Sequence, residues 1–182
     1  MKKSLSLIAL LAAIYSGFSQ DSGKRNEIKF NIANTIAIAS VEFGYERFFD
    51  EHQSLEAVLL FNDRINYHSE KGSREFKTQS YKLGYNYYFG QENAGSGLFV
   101  NPFVKLRNGE FIENDDRVDP EQPLITDMNT FMIGIGGGYK WNFNDTFVLG
   151  PFINVARNFS EEVKDRFSAI EFNAGFNIGY RF

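Results

Sequence analysis

The chain has 182 residues, a formal net charge of −4, an aromatic content of 16% with 20 Phe and 9 Tyr, and no cysteine. This length fits one domain, the acidic balance excludes electrostatic attraction to nucleic acid, and the missing cysteine excludes disulfides and a lipid anchor on cysteine. A metal site would have to use carboxylates or the two histidines.

The amino terminus has the pattern of a secretory signal peptide. Lys2 and Lys3 form a charged start, and Leu5 to Tyr15 is an apolar run too short to span a bilayer. We expect cleavage after Ser19, which makes residues 1–19 the signal peptide and residues 20–182 the mature domain. Loss of the two lysines takes the formal charge from −4 to −6. No later apolar run is long enough for a transmembrane helix.

The mature sequence divides into eight segments in which apolar residues alternate with small, polar or charged ones, which is the pattern of strands with one apolar face. No segment shows convincing helical periodicity, so an all-β chain is predicted. The predicted strands run roughly over Glu27–Ile36, Ala39–Phe49, Leu55–Asn62, Tyr81–Phe89, Leu98–Arg107, Thr130–Phe143, Phe147–Asn158 and Ser168–Phe182.

The last segment shows the alternation most clearly. Its apolar face carries Ile170, Phe172, Ala174, Phe176, Ile178, Tyr180 and Phe182, and its other face carries Glu171, Asn173, Gly175, Asn177, Gly179 and Arg181. In hydrocarbon, strands with such a face must close into a barrel, because every backbone N–H and C=O group needs a partner. The pattern therefore predicts an eight-stranded antiparallel up-and-down transmembrane β-barrel.

The connections between the predicted strands alternate in length. Long charged stretches follow the third, fifth and seventh strands, at Asp63–Lys77, Asn108–Asp127 and Phe159–Phe167, whereas the turns after the second, fourth and sixth strands are shorter. Short turns on one side and long loops on the other are typical of outer-membrane barrels, whose long loops face outside. Both chain ends are then periplasmic.

The inward face of the predicted barrel is charged. It carries Glu42, Glu46, Glu56, Glu171, Lys29, Lys82, Lys105, Arg107, Lys140 and Arg181. An eight-stranded barrel is just wide enough for side chains to fill it, so we expect these charges to pair across the lumen and leave no open pore. The inward glycines would make room for three large inward residues, Tyr88, Phe103 and Phe152.

Four further strand residues lead to specific expectations. Pro102 and Pro151 occupy matching places in a weak repeat of the fifth and seventh strands, and each is expected to produce a bulge or bend, since proline cannot donate to a ladder. Arg47 and Arg157 face outward. They are tolerable only near strand ends, where a guanidinium can reach the lipid head groups.

Three motifs invite functional interpretations that their context does not favour. His68-Ser69-Glu70 contains the residue types of a hydrolytic relay, but neighbouring residues of an extended chain point apart. Gly134-Ile135-Gly136-Gly137-Gly138 lacks the third glycine and the helix of a dinucleotide-binding loop. An acidic cluster, comprising Glu113, Asp115, Asp116, Asp119, Glu121 and Asp127, lacks the spacing of an EF-hand. We assign no catalytic, cofactor-binding or metal-binding residue, and we expect no cofactor. His52, in a periplasmic turn, is expected to be merely exposed.

The sequence resembles small eight-stranded outer-membrane proteins of the OmpA-barrel and OmpX type. The resemblance rests on the alternation that closes on Tyr180-Arg181-Phe182, while the opening N-E-I-K-F-N and the later E-F-G-Y-E-R look like a related uncharacterised family of outer-membrane barrels. It implies a location in the outer membrane of a Gram-negative envelope, contact with lipid and lipopolysaccharide, and recognition of the last strand, ending in Phe182, by the barrel assembly machinery. The resemblance says little about biochemical activity, because one fold can serve many functions.

The leading functional hypothesis is a monomeric, non-enzymatic envelope anchor whose outer loops, Asp63–Lys77 and Asn108–Asp127, contact or adhere to something outside the cell. One alternative is a lipid-A-modifying enzyme that uses His68. The other is a soluble ligand-binding barrel of lipocalin type, which would need an apolar interior, contrary to the inward charges.

Overall fold

A computed structural model describes residues 24–68, 74–90, 95–113 and 123–182. Within these ranges the chain forms nine strands and two short helices. Their bounds are β1 Asn26–Asn31, α1 Ile32–Ile38, β2 Val41–Phe48, β3 Gln53–Phe61, β4 Arg74–Tyr88, β5 Gly97–Glu113, β6 Leu124–Asp127, β7 Thr130–Phe143, β8 Phe147–Asn158, α2 Glu161–Arg166 and β9 Ile170–Arg181. The predicted signal peptide lies outside the described residues.

The strands form one closed antiparallel barrel. The hydrogen-bonded order is β4-β3-β2-β1-β9-β8-β7-β5, and pairing between β4 and β5 closes the ring. The short strand β6 pairs with β5 only at its outer end, from Glu110↔Asp127 to Glu113↔Leu124, while β7 pairs with the rest of β5. Eight strands therefore make the barrel wall. The prediction of an eight-stranded antiparallel up-and-down barrel is confirmed.

The alternation of faces also follows the prediction. Along β3, for example, Glu56, Val58 and Leu60 are buried while Leu55, Ala57 and Leu59 are exposed. Large outward side chains remain exposed around the whole barrel, including Ile28, Phe43, Leu83, Leu106, Ile135, Ile153, Phe172 and Tyr180. The barrel thus has a polar interior and an apolar exterior, the reverse of a soluble protein.

The inward glycines make room for large inward rings, as predicted. A Cβ atom added at Gly134 would lie 2.3 Å from the ring of Phe103 and 2.7 Å from the carbonyl oxygen of Val155. The Phe103 ring fills the space that the glycine leaves, in a small apolar cluster with Met132 and Ala156.

Gly134→Ala is therefore expected to lower the free energy of unfolding by about 1–3 kcal/mol, because the added methyl group overpacks this layer. Gly44→Ala is the matched control. It is also inward, but its nearest neighbour would be the Lys29 Cε atom at 3.4 Å, so its effect should stay within about 0.5 kcal/mol. Urea titration of both variants refolded into lipid vesicles measures the difference, and equal costs would contradict the packing argument.

The first predicted strand is wrong beyond Asn31, because residues 32–38 form the helix α1. The side chain of Asn31 caps the helix by accepting the backbone N–H of Asn34 at 3.2 Å, and Ala39 ends it in the left-handed conformation. Ile32 and Ile36 are four residues apart, a spacing that fits a strand face and a helix face equally.

The long connections are more ordered than predicted. β4 begins at Arg74 and β5 continues to Glu113, so parts of the predicted loops Asp63–Lys77 and Asn108–Asp127 are strand, and β6 lies within the second of them. The predicted loop Phe159–Phe167 contains α2, whose first turn is capped by Ser160 and carries Glu161 and Glu162. Residues 69–73 and 114–122 lie outside the described part of the chain.

The two strand prolines do not produce bulges. The β4–β5 ladder skips the pairs beside Pro102, and the β7–β8 ladder skips those beside Pro151, but each ladder resumes in the same register. Because each proline lacks an N–H donor, pairing is lost locally, but no extra residue is inserted into the strand.

Both outward arginines lie near strand ends: Arg47 donates to the Asn26 side chain at 2.7 Å, and the Arg157 guanidinium lies 5.8 Å from the Phe159 ring centre. Neither helix within the described residues is long and apolar enough to cross a membrane.

Candidate functional site: the charged lumen and its outer cap

The half of the lumen nearest the chain ends is organised around the carboxylate of Glu46, which is fully buried. It accepts from the ammonium groups of Lys29 at 2.7 Å and Lys140 at 2.8 Å, and from the Tyr88 hydroxyl at 2.6 Å. The two lysines donate to one carboxylate oxygen, and Tyr88, Ser54 and Asn86 donate to the other. Five donors around one carboxylate replace the water that this side chain loses on burial.

A second carboxylate lies at the same end of the lumen. Glu27 accepts from Lys140 at 2.7 Å and from Arg181 at 2.9 Å. The Arg181 guanidinium also lies 4.3 Å from the centre of the Phe48 ring, and Lys140 lies 4.8 Å from that of Tyr88. These rings cover the cations and leave little room for water between them.

The outer half of the lumen has its own ion-pair network. Arg107 donates to both oxygens of Glu171, at 2.8 and 2.7 Å, and to Asp63 at 2.9 Å. Lys105 reaches the same Asp63 oxygen at 2.6 Å. Asp63 lies just beyond the end of β3. Burial disfavours its charged form, but the nearby Arg107 and Lys105 cations outweigh burial and hold the pKa of this carboxyl well below its usual range.

The buried charges of the lumen balance. Apart from Glu113 at the outer rim, the buried charged side chains among the described residues are six acidic ones (Glu27, Glu42, Glu46, Glu56, Asp63 and Glu171) and six basic ones (Lys29, Lys82, Lys105, Arg107, Lys140 and Arg181). The prediction that inward charges pair across the lumen is confirmed for all of them except Glu42, which accepts from the Asn31 amide at 2.9 Å. The sequence analysis missed two of the twelve. Glu27 is two residues before Lys29 on β1 and therefore lies on the same inward face, so the alternation could have identified it. Asp63 lies beyond the end of β3 and enters the lumen from a connection, which the alternation does not predict.

An apolar cap covers the outer end of these networks. It consists of buried side chains from the loop after β3, from β4, β5 and α2, and from the chain beside them: Ile65, Phe76, Phe111, Met128, Val163 and the partly buried Phe167. The rings of Phe76 and Phe111 are 4.5 Å apart, and Phe167 contacts both. At the rim, Glu113 pairs with Arg74 at 2.5 Å and also with Arg166. Apolar packing therefore separates the lumen charges from the outer surface.

The candidate catalytic and metal-binding motifs are not assembled in the described part of the chain. The Nδ1 atom of His68 lies at hydrogen-bond distance, 2.7 Å, from the Ile65 carbonyl oxygen, and the His68 ring packs edge-on against Phe167. Ser69 and Glu70 lie outside the described residues. His52 contacts the Tyr88 carbonyl at 3.1 Å. Of the acidic cluster only Glu113 and Asp127 are described, and no described group of three or more His, Cys, Asp or Glu side chains is arranged to hold a metal ion.

The carboxyl terminus completes the junction between the first and last strands. The backbone N–H of Phe182 donates to Asn26 at 2.8 Å, and Asn26 donates back at 3.0 Å. The Phe182 ring is half exposed and stacks near Tyr180, with ring centres 6.3 Å apart. The terminal aromatic thus lies on the outside of the barrel, beside the β1–β9 strand pair.

Comparisons with known proteins give similarity of fold. No protein-family model and no curated protein sequence matches the chain. Among solved structures, the N-terminal β-barrel domain of Pseudomonas aeruginosa OprF has a TM-score of 0.55 at 17% identity, over 88% of this chain and 98% of that one. Neisserial surface protein A aligns with a TM-score of 0.49 at 8% identity, over 86% of this chain and 93% of that one. The chain therefore has the fold of the small eight-stranded outer-membrane β-barrels, as its sequence resemblance indicated.

Proposed function

We propose that this protein is a monomeric, non-enzymatic outer-membrane protein whose sealed barrel anchors an outer contact surface. One observation carries the proposal: the lumen is filled by six carboxylates and six cations, of which all but Glu42 form ion pairs with one another, under an apolar cap. A solute pathway would require breaking several buried ion pairs, each of them costly to break. A ligand of lipocalin type would need an apolar interior, whereas the interior formed by the described residues is lined by charges.

The exterior supports a membrane location. Apolar side chains, each 40% or more exposed, surround the wall on β1 to β5 and on β7 to β9. Soluble monomers rarely expose a continuous apolar surface of this extent, whereas a barrel in lipid must. Lipid and lipopolysaccharide are then the proposed surroundings, and the exposed last strand with Phe182 is the proposed recognition element for assembly.

The outer contact surface is the proposed working part. On β4 and β5 the outward apolar residues end at Tyr81 and Leu106, but both strands continue outward to Arg74 and Glu113. At about 3.3 Å per residue, this extension rises roughly 20 Å beyond the apolar band. Its exposed residues mix charges with Leu124 and Ile125 on β6, which are more than half exposed. Such a rigid, mixed surface suits contact with a partner outside the cell.

Two measurements on the full mature chain test the proposal. The protein should sediment with outer membrane, and after reconstitution into liposomes it should produce no swelling in arabinose and no stable conductance in 1 M KCl. A shift in gel mobility between unboiled and boiled samples confirms that the barrel is folded in the assay. Recovery in the soluble periplasm would overturn the membrane location, and a stable conductance of the folded barrel would overturn the sealed lumen.

A further inference from the structure

Arg157 is an exposed arginine that the described part of the protein leaves without a polar partner. It forms no hydrogen bond and no ion pair with any described residue, and its guanidinium lies instead over the Phe159 ring, 5.8 Å from the ring centre. The other outward arginine is different, because Arg47 donates to the Asn26 side chain at 2.7 Å. The N–H donors of the Arg157 guanidinium therefore remain available to a ligand, whereas those of Arg47 are already engaged.

Arg157 lies where the apolar outer face of β8 ends. The outward residues that precede it on this strand are all apolar: Phe147, Leu149, Pro151, Ile153 and Val155. At about 3.3 Å per residue, the strand rises about 33 Å from Phe147 to Arg157. With a strand tilt of about 40° this is roughly 25 Å along the barrel axis, the height of the apolar band of an outer-membrane barrel. The guanidinium thus lies at the level of the lipid head groups, at the end of the barrel opposite the chain ends.

Two aromatic rings lie beside the guanidinium on the outer surface. Phe159 stacks near Phe131 with ring centres 6.2 Å apart, and these side chains are 50% and 43% exposed. A guanidinium over an aromatic face is attracted by the ring and keeps the N–H groups at its edge free to donate. The rings therefore hold the cation without supplying an acceptor for it.

A second donor lies on the same outer face. Arg157 pairs with Ile170 in the β8–β9 ladder, and the next hydrogen bond, from the Asn158 N–H to the Ala169 carbonyl, keeps the same register. Ser168 is therefore the diagonal neighbour of Arg157, about 7–8 Å away between Cα atoms, a distance that one phosphate group and the long arginine side chain can bridge. Its hydroxyl oxygen accepts the Ile170 N–H at 3.1 Å, and its hydroxyl hydrogen donates to no described residue.

The chemistry around Arg157 fits an anion that carries an apolar chain. A guanidinium fork matches two oxygens of a phosphate, and a phosphate monoester offers more negative charge than a zwitterionic head group. The helix α2 does not neutralise the arginine, since Glu161 pairs with Lys164 at 2.6 Å. Below Arg157 on the outer face, Ile133 is 51% exposed on the neighbouring strand. An acyl chain attached to the phosphate would lie along this apolar surface.

We propose that Arg157 and Ser168, beside the rings of Phe131 and Phe159, bind the phosphate monoester head group of a membrane lipid. We call these four residues the Arg157 site. The proposal rests on the proposed membrane location and adds to it a specific lipid and the side chains that recognise it. The lipid phosphate takes the place of the carboxylate or amide oxygen that Arg157 lacks within the described protein, and the acyl chain covers the apolar wall below.

Native mass spectrometry of the mature barrel in detergent micelles measures how tightly one lipid molecule is retained. The probe is dipalmitoyl phosphatidic acid, and dipalmitoyl phosphatidylcholine has the same chains with a zwitterionic head group. Arg157→Gln is the test variant. Arg47→Gln is the matched control, because it removes the same charge from the outward arginine that already has a partner. Arg157→Lys keeps the charge and loses the fork. A difference in gel mobility between unboiled and boiled samples confirms that each barrel is folded.

Arg157→Gln should weaken the binding of phosphatidic acid about tenfold, the effect of roughly one charge-assisted hydrogen bond, and Arg47→Gln should change it by less than about twofold. Arg157→Lys should lie between these values, and the unmodified barrel should retain phosphatidylcholine severalfold less well. If Arg157→Gln does not refold, Ser168→Ala replaces it and should weaken binding severalfold.

Four outcomes would contradict the proposal. Unchanged binding in the test variant, or equal losses in Arg157→Gln and Arg47→Gln, would overturn the Arg157 site, because equal losses reflect only total charge. Equal retention of the two lipids would overturn the phosphate monoester assignment. Displacement of phosphatidic acid by inorganic phosphate at the same concentration would show that the acyl chain contributes nothing and would overturn the membrane lipid as the source.

Flotation with phosphatidylcholine vesicles separates this proposal from the proposed function. If the refolded barrel floats with the vesicles but Arg157→Gln binds phosphatidic acid as tightly as the unmodified protein, the membrane location stands and the Arg157 site is wrong. If the barrel does not float with the vesicles, the membrane location itself is wrong.

Discussion

Glu46→Gln is expected to lower the free energy of unfolding by about 3–5 kcal/mol, the cost of breaking a buried ion pair by removing one partner. Glu46 contacts Lys29 and Lys140 at 2.7 and 2.8 Å, and all three side chains are buried. The amide keeps the shape and some hydrogen bonds, but it leaves one excess positive charge in a lumen whose charges otherwise balance. Urea titration of the barrel refolded into lipid vesicles measures the loss.

Two further variants serve as controls for the Glu46→Gln measurement. Glu161→Gln removes a carboxylate that pairs with Lys164 at 2.6 Å on the exposed surface of α2, and its cost should stay below about 1 kcal/mol. Lys140→Met added to Glu46→Gln removes the excess cation and should recover part of the loss, since Glu27 keeps Arg181 as a partner. A cost for Glu46→Gln as small as that of Glu161→Gln would show that the lumen is open to water.

The strands that cross the apolar band were predictable because side-chain chemistry there follows position directly. On β7 and β8 the predicted bounds, Thr130–Phe143 and Phe147–Asn158, agree with the structure. Every outward residue must be apolar or small and every inward residue must fit a crowded polar lumen, so a shift of one residue would place charges in lipid. In such a strand the environment constrains both faces, one in lipid and one in the polar lumen. The register is therefore fixed more firmly than in a strand with only one constrained face.

Beyond the apolar band, outward apolar residues no longer mark the strands, because the outward face there carries polar and charged side chains. On β4, Tyr81 faces outward, but Phe76 faces inward under the cap and its neighbour Lys77 faces outward. The apolar parity therefore reverses within one continuous strand. Where outward apolar residues stop, the strand itself is taken to stop. Asp63–Lys77 was therefore predicted to be a loop, although β4 begins at Arg74.

The contents of the lumen were predictable, but their partners were not. Parity alone indicates that Arg107 and Glu171 face inward, yet these residues are distant in sequence and meet only because barrel closure brings β5 and β9 to opposite sides of the lumen. Asp63 and Tyr67, whose hydroxyl donates to the Ala174 carbonyl at 2.9 Å, reach the barrel from a connection. Their roles depend on the loop conformation, which the alternation of strands does not determine.

Ile135→Lys is expected to cost about 2–4 kcal/mol in a lipid bilayer, since it places an ammonium group near the middle of the hydrocarbon. Ile135 lies within the outward run of β7 between Phe131 and Phe143, and it is 60% exposed. The matched control is Phe143→Lys at the carboxyl end of the same strand, where the lysine can reach the head groups and the cost falls to about 0–1 kcal/mol. Both variants are compared by urea titration in lipid vesicles.

The comparison tests the membrane location independently of cell fractionation. On a protein surrounded by water, replacing an exposed isoleucine by lysine changes stability by no more than about 0.5 kcal/mol, since the residue makes few contacts and the ammonium group stays hydrated. A cost at Ile135 well above that at Phe143 therefore requires hydrocarbon around the middle of the barrel. If both substitutions cost less than about 0.5 kcal/mol in vesicles, the apolar band does not face lipid.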